Sequence, residues 1–331
     1  PMGAHPQPLY VSPSLGGGGY ADDFAQYEWW RAAAAEPDRL APFVEAVLKA
    51  EDGAAAYQAF VHRGKSIHPE RSEAQPSTPP GGDAGAQATP AERRILRAAR
   101  RIAERVREAG YPVILAGVGH AFFAARLAQI ALEEEGRRVE VLVETGLEGV
   151  ACGPSAHGFL LSHANMAQAA RLSSVEHALG ALTCGADNRC LGVIGAAQVD
   201  AQGNVNSTRL ADGGVLVGSG GANDICSSAA EVVVLSALSR SRLVPRVDHL
   251  TSPGRAVRSV VTEACVFARD DTRSPQWTVV SLDAANTPEA VRGQCPWPLT
   301  WPSDARQEGL EDDALALLRS LDPDGRHTRR D

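Results

Sequence analysis

The chain has 331 residues, 44% of them hydrophobic and 22% charged, with a formal net charge of −8. That length accommodates one large α/β core or two smaller ones, and no apolar run approaches the roughly 18–20 residues of a membrane-spanning helix. The acidic balance leaves no basic footprint for nucleic acid, and Lys49 and Lys65 are the only lysines, so the main body has no amine for pyridoxal-phosphate or lysine-aldolase chemistry.

In chain order, the sequence opens at Pro1 with no charged and apolar leader, the expectation for a fragment or processed product. Between Asp22 and Ala59, Phe24, Tyr27, Trp29 and Trp30, then Leu40, Phe43, Val44, Val47 and Leu48 recur at helical spacing. They predict a short helical N-terminal appendage, too small to bury its aromatics alone. Residues 68–90 (HPERSEAQPSTPPGGDAGAQATP) lack large apolar side chains and read as a flexible linker.

Thr89-Pro90-Ala91-Glu92 is a capping box with proline at the first helical position, and Ile95, Ala99, Ile102 and Val106 mark one helix face as far as Gly110. An apolar run at Val113–Ala116, a helical stretch from Ala121 to about Glu134 closed by Gly136, and a second run at Val139–Val143 give a βαβ rhythm. Further strands are expected at Leu191–Ile194, Val215–Val217, Val232–Leu235 and Val279–Leu282, and a last helix at Glu308–Leu321. The fold class is α/β: an open, mostly parallel, Rossmann-like sheet with helices on both faces. In such sheets the chemistry sits beyond the carboxyl ends of strands, which singles out Gly117–His120, Glu144–Gly149 and Gly195–Asp200. Cys152, Cys184, Cys190, Cys226, Cys265 and Cys295 contain no CxxC pair, which predicts reduced thiols and a cytoplasmic protein.

Several familiar motifs fail. Gly64-Lys65-Ser66 lacks a phosphate-loop glycine, since Ala59 stands there. Gly117-Val118-Gly119 has Phe122 in place of a third dinucleotide-fingerprint glycine. No G-x-S-x-G elbow is present, and His157 and His163 lack metal-ligand spacing, so no metal site is expected.

Three loops carry chemistry. Glu144 emerges from a buried apolar strand into a glycine turn, a local pattern that on its own favours a strand-end acid capping a helix or pairing with an arginine over a functional carboxylate. The run from Gly195 to Thr208 is a strand, a turn at Asp200 and Gly203, then a polar string. Gly218-Ser219-Gly220-Gly221 precedes a helix and offers backbone N–H groups to an anion or oxyanion.

These strings, GVGHAFFAARLA, ETGL, GAAQVDAQGNVNST, GSGGAND and LTSPG at Leu250–Gly254, occur in an order that resembles the B subunit of glutaconate-type, class I coenzyme A transferases. The resemblance covers roughly residues 91–283. PMGAHP at Pro1–Pro6 and YADDFAQY at Tyr20–Tyr27 resemble the C-terminal tail of the partner A subunit, as in a fused A–B polypeptide. The implied organisation is an A-type tail (1–67), the linker (68–90), a B-type domain of the CoA-transferase fold (91–322) and a disordered tail (323–331).

The resemblance implies an acyl-CoA:carboxylate CoA-transferase working through a covalent glutamyl-CoA thioester, with Glu144 matching the nucleophile and Gly221, beside Gly220, the oxyanion-hole glycine. Gly117 and Gly119 match a loop that admits substrate to the backbone, and Gln198, Asn204 and Asn206 would order the site around the thioester. His120 is open between a packed residue and a group facing a carboxylate or proton. Coenzyme A is the substrate carrier, with no permanently bound cofactor, and the implied partner is an A-type subunit in an α2β2-like heterotetramer. The family's usual GTGLP reads GVGHA here, which changes the acyl pocket. Related folds include acyl-CoA hydrolases and a decarboxylase; a non-catalytic partner subunit is a further alternative.

Overall fold

The structure is a computed structural model describing residues 87–149, 169–184, 188–323, 325 and 328. The N-terminal helices, most of the linker, Gly64-Lys65-Ser66, Cys152, His157 and His163 lie outside these residues.

Helix α1 (Pro90–Ala109) leads into strand β1 (Val113–Ala116), helix α2 (His120–Glu134) and β2 (Glu140–Val143), which form the expected βαβ unit. The capping box is closed: Thr89 Oγ1 accepts from the Glu92 amide at 3.1 Å, while the Thr89 amide donates to Glu92 Oε2 at 2.8 Å. Strands β3 (Leu147–Glu148) and β4 (Arg171–Leu172) follow, then a π-helix over Glu176–Thr183 and β5 (Cys190–Gly195). Next come β6 (Gln198–Asp200), β7 (Val205–Asn206), α3 (Ala222–Ser228), β8 (Glu231–Leu235) and β9 (Leu243–Val244). A 3₁₀ turn at Gly254–Ala256 leads to β10 (Val257–Val261), β11 (Cys265–Ala268) and β12 (Trp277–Asp283). The chain then adds α4 (Pro288–Gln294), β13 (Leu299–Thr300), β14 (Arg306–Glu308) and α5 (Asp312–Leu321).

Eleven strands make one sheet in the order β13-β12-β11-β10-β8-β5-β1-β2-β3-β4, with β14 beside β12. Its centre, β10-β8-β5-β1-β2, is parallel. The chain passes from β1 to β2 on one side and later returns to β5 on the other, so β1 is a switch point and a crevice opens at its carboxyl end. Successive residues face opposite ways. Ile114, Ala116, Val141 and Val143 pack with α1, α2 and α5, whereas Leu115 and Leu142 join α3, Trp277 and Trp297.

Two expectations need correction, and two strands were not expected. Val215–Val217 is not a strand: Val215 makes a single bridge to Arg209 and is 71% exposed, because the short apolar run caps a loop and has no sheet edge to join. Helix α5 begins at Asp312, since residues 306–308 are drawn out as a parallel strand against β12. Strands β10 and β11, not anticipated, make antiparallel pairs with β11 and β12 respectively. Within the segment expected to be disordered, buried Thr328 donates from its amide and hydroxyl to Asp322 Oδ2.

Two close approaches hold the loops. At Gly192 in β5 a Cβ would lie 2.5 Å from Ile225 Cγ2 and 3.2 Å from Val232 Cγ2, so α3 rests on bare backbone. Arg269 is buried and donates to the carbonyls of Val257, Ala201, Ser274, Gln202 and Gly254, with its guanidinium 4.4 Å from the Trp277 ring. Burial pulls its pKa down to about 10. These carbonyls belong to the turn that follows β6 and the segments packed on it.

Candidate active site

Glu144 leaves the end of β2 in a tight turn closed by the Gly146 amide donating to the Val143 carbonyl at 2.9 Å. Gly146 has φ +88°, and a Cβ there would lie 2.1 Å from the Ser173 carbonyl oxygen, so only glycine fits. The register Ala116↔Val143 sets Gly117 and Glu144 at the ends of neighbouring strands.

The second wall is the glycine loop before α3. The Gly221 amide donates to Glu144 Oε2 at 2.9 Å. A Cβ would lie 2.8 Å from Oε1 at Gly220 and 2.6 Å from Oε2 at Gly221, so these bare backbones cradle the carboxylate. A Cβ on Gly221 would also meet Leu179 Cδ1 of the π-helix at 3.1 Å, which makes Leu179 an apolar neighbour of the cradle. Burial pushes the Glu144 carboxyl above its ordinary value; the Gly221 hydrogen bond opposes this, and the charge of Asp224 adds to the rise. This is a carboxylate made more basic than usual and aimed by one amide.

Glu144, Gly220 and Gly221 are thus brought together, and the Gly117–His120 loop lies at the end of the adjacent strand. Gly117 extends the β1–β5 ladder, its amide donating to the Val193 carbonyl at 2.8 Å. Gly119, at φ +71°, caps α2, and half-buried His120 is that helix's first residue.

The polar string has another role. Asn206 is fully buried; its amide donates to Gln198 Oε1 and the Arg209 carbonyl, and its Oδ1 accepts from the amides of Thr208 and Arg209. Gln198 donates to Asp248 Oδ2 at 2.8 Å. Asn204 donates to Asp200 Oδ2 and accepts from the Gly254 amide. These three side chains hydrogen-bond within the loop and to Asp248 and Gly254 packed on it, and so hold the loop's shape. Sequence reasoning missed Leu179 and Ser173, which carry no motif signal, and Asp224, whose signal was its place in GSGGAND. Among the described residues no group of three or more His, Cys, Asp or Glu is arranged for a metal, and no helix is long and apolar enough to cross a membrane.

No family model matches the chain. It is 28% identical over 152 residues to the B subunit of 3-oxoadipate CoA-transferase of Pseudomonas knackmussii, covering 40% of this chain and 58% of that protein. It is 39% identical over 71 residues to the B subunit of glutaconate CoA-transferase of Acidaminococcus fermentans, covering 20% of this chain and 26% of that protein. The chain therefore matches less than two thirds of the length of either relative. In fold it is similar to the crystal structure of glutaconate coenzyme A-transferase from Acidaminococcus fermentans, with TM-score 0.60, 23% identity, and coverage of 72% of this chain and 97% of that one. The decarboxylase AibA/AibB is also similar, with TM-score 0.59, 20% identity, and coverage of 74% and 100%. Local sequence identity and whole-domain fold agree: in sequence the chain is similar to the B subunits of two CoA-transferases, and in fold to glutaconate coenzyme A-transferase.

Proposed function

We propose that the chain is an enzyme, the B-type component of an acyl-CoA:carboxylate CoA-transferase that works with an A-type subunit or domain through a glutamyl-CoA thioester on Glu144. The observation that carries this reading is the Gly221 amide 2.9 Å from Glu144 Oε2 at the end of a buried strand. A carboxylate nucleophile needs no general base at neutral pH, and partial burial raises its basicity. Its oxygen attacks the thioester carbonyl and expels coenzyme A thiolate, leaving an acyl-glutamyl anhydride. The thiolate then attacks the glutamyl carbonyl, releasing the donor carboxylate and forming the glutamyl-CoA thioester; an acceptor carboxylate reverses both steps.

In the second step the negative charge develops on an oxygen of Glu144 itself. The Gly221 amide already points at that atom, so it serves as the oxyanion donor, a contribution typically of about 10²–10³ in rate. Gly220 beside it leaves the approach open, and the Gly117–His120 loop lines the adjacent strand end. Residues 91–322 form the catalytic domain and residues 1–67, through the linker, an A-type tail, in a cytoplasmic α2β2-like assembly. Coenzyme A enters and leaves as a carrier. The relatives named as CoA-transferase B subunits support this assignment.

The test is peptide mass mapping after the full chain, assembled with its A-type partner, meets a panel of acyl-CoAs and is quenched with borohydride. Reduction of a glutamyl-CoA thioester converts Glu144 to an alcohol and shifts one peptide. Turnover in E144Q is expected to fall by about 10³-fold or more. Consumption of acyl-CoA with Glu144 unmodified and E144Q active would replace the transferase with a hydrolase or decarboxylase. No consumption by the assembled protein would leave a non-catalytic partner.

A further inference from the structure

The turn that carries Glu144 is the tip of a hairpin whose stem is short. Strand β3 has two residues, with Leu142 of β2 opposite Glu148, and β4 adds two more, pairing Leu147↔Leu172 and Glu148↔Arg171. Backbone bonds join these strands: the Ala170 amide donates to the Glu148 carbonyl at 2.9 Å and the Ser173 amide to the Gly146 carbonyl at 2.8 Å. Ladders this short are marginal by themselves.

At their base sits a carboxylate the mechanism does not use. Glu148 is 2% exposed, and burial of a carboxylate is unfavourable unless it is paired. Arg171 brings both Nε and Nη2 within 2.6 Å of Glu148 Oε2, and Arg171 Nη2 also reaches Glu140 Oε1 at 3.1 Å. From another element, His177 Nε2 lies 3.6 Å from Glu148 Oε1. His177 is on the π-helix, two residues before Leu179, the side chain beside the Gly221 cradle. One buried carboxylate at the hairpin stem therefore meets side chains from two elements beside the nucleophile: Arg171 on the strand next to the Gly146 clamp and His177 on the helix walling Gly221.

We infer that Glu148 is a positioning residue: through Arg171 and His177 it holds the Glu144 turn and the π-helix in the register that lets the Gly221 amide reach the Glu144 carboxylate. Its catalytic consequence rests on the transferase reading; its geometric consequence does not. Without the charge, Arg171 relaxes toward solvent, the hairpin tip moves relative to α3, and Glu144 loses its aim while the sheet persists.

The test uses the full chain, isotopically labelled, with amide exchange followed at Gly221, Leu115 and Val193 in the parent, E148Q and E148D. In E148Q, exchange at Gly221 is expected to accelerate about tenfold or more while Leu115 and Val193 keep their protection, with E148D intermediate. In the assembled enzyme, with acetyl-CoA as donor probe and succinate as acceptor probe, kcat is expected to fall about tenfold with KM within about twofold. Unchanged exchange at Gly221 in a folded E148Q would overturn the inference, as would a loss of kcat that only tracks the folded fraction. If E148Q does not fold, R171Q and H177N are measured the same way, and unchanged Gly221 protection in both overturns it. If the parent forms no borohydride-trapped adduct, the transferase reading fails, and the exchange data still decide the role of Glu148.

Discussion

Gly221 and Glu144 are 77 residues apart in sequence, yet the amide of one donates to the carboxylate of the other at 2.9 Å, joining the end of β2 to the start of α3. The bond closes the crevice at the switch point, and it exists only because neither Gly220 nor Gly221 carries a side chain.

A methyl group at 221 tests that statement. Gly221 has φ −80°, so alanine is free of backbone strain, but its Cβ would stand 2.6 Å from Glu144 Oε2 and 3.1 Å from Leu179 Cδ1. G221A is expected to stay folded, with kcat reduced about 10²–10³-fold because the carboxylate is displaced from its donor. Steady-state kinetics with a thermal melt checks both parts.

The pH dependence follows from the raised proton affinity of Glu144. Only the carboxylate attacks, so the acid limb of kcat/KM is expected above the usual glutamate range. The charge of Asp224 contributes to the rise, and D224N is expected to move that limb to lower pH. For stability the sign is reversed from a salt-bridged acid. The folded state binds this proton more tightly than the unfolded one, so stability falls as pH rises from the ordinary value through the raised one. E144Q is then expected to melt higher than the parent at neutral pH, with the advantage vanishing below the ordinary carboxylate value; melts across pH 4 to 8 measure it.

Arg269 offers a prediction about the scaffold. Its five bonds to backbone carbonyls and its contact with Trp277 tie the turn after β6 to β10 and the segment after β11. R269M keeps much of the packing but leaves those carbonyls without their donor, at a cost of about 3–5 kcal/mol. Urea unfolding checks it.

The sequence made the parallel centre legible because βαβ units announce themselves through two periodicities and a capping box. The turn from the parallel to the antiparallel part of the sheet was not: β10 (Val257–Val261) and β11 (Cys265–Ala268) are short runs without a flanking helix, and Val215–Val217 looks similar yet Val215 stays exposed. Of the site, Glu144 and the glycines were readable as a strand end and a helix start that had to meet somewhere. Gln198, Asn204 and Asn206 were readable as polar, but two of their partners were not, since Asp248 and Gly254 arrive from a distant segment. Leu179 matters only through tertiary contact and leaves no local trace, and Glu148, although inside the loop the sequence singled out, gives no sign of its partners Arg171 and His177.

The bare backbone at Gly192 couples the interior of the sheet to the crevice. Helix α3 sits as low as it does because nothing at that position lifts Ile225, and the height of α3 decides where the Gly221 amide points. Packing volume in the core thus acts as a height adjustment for the amide. A chain that acquired alanine at 192 would recover its aim most directly by trimming Ile225 to alanine, which removes the Cγ2 that the new Cβ would meet, so these two positions are expected to change together where such a protein diversifies.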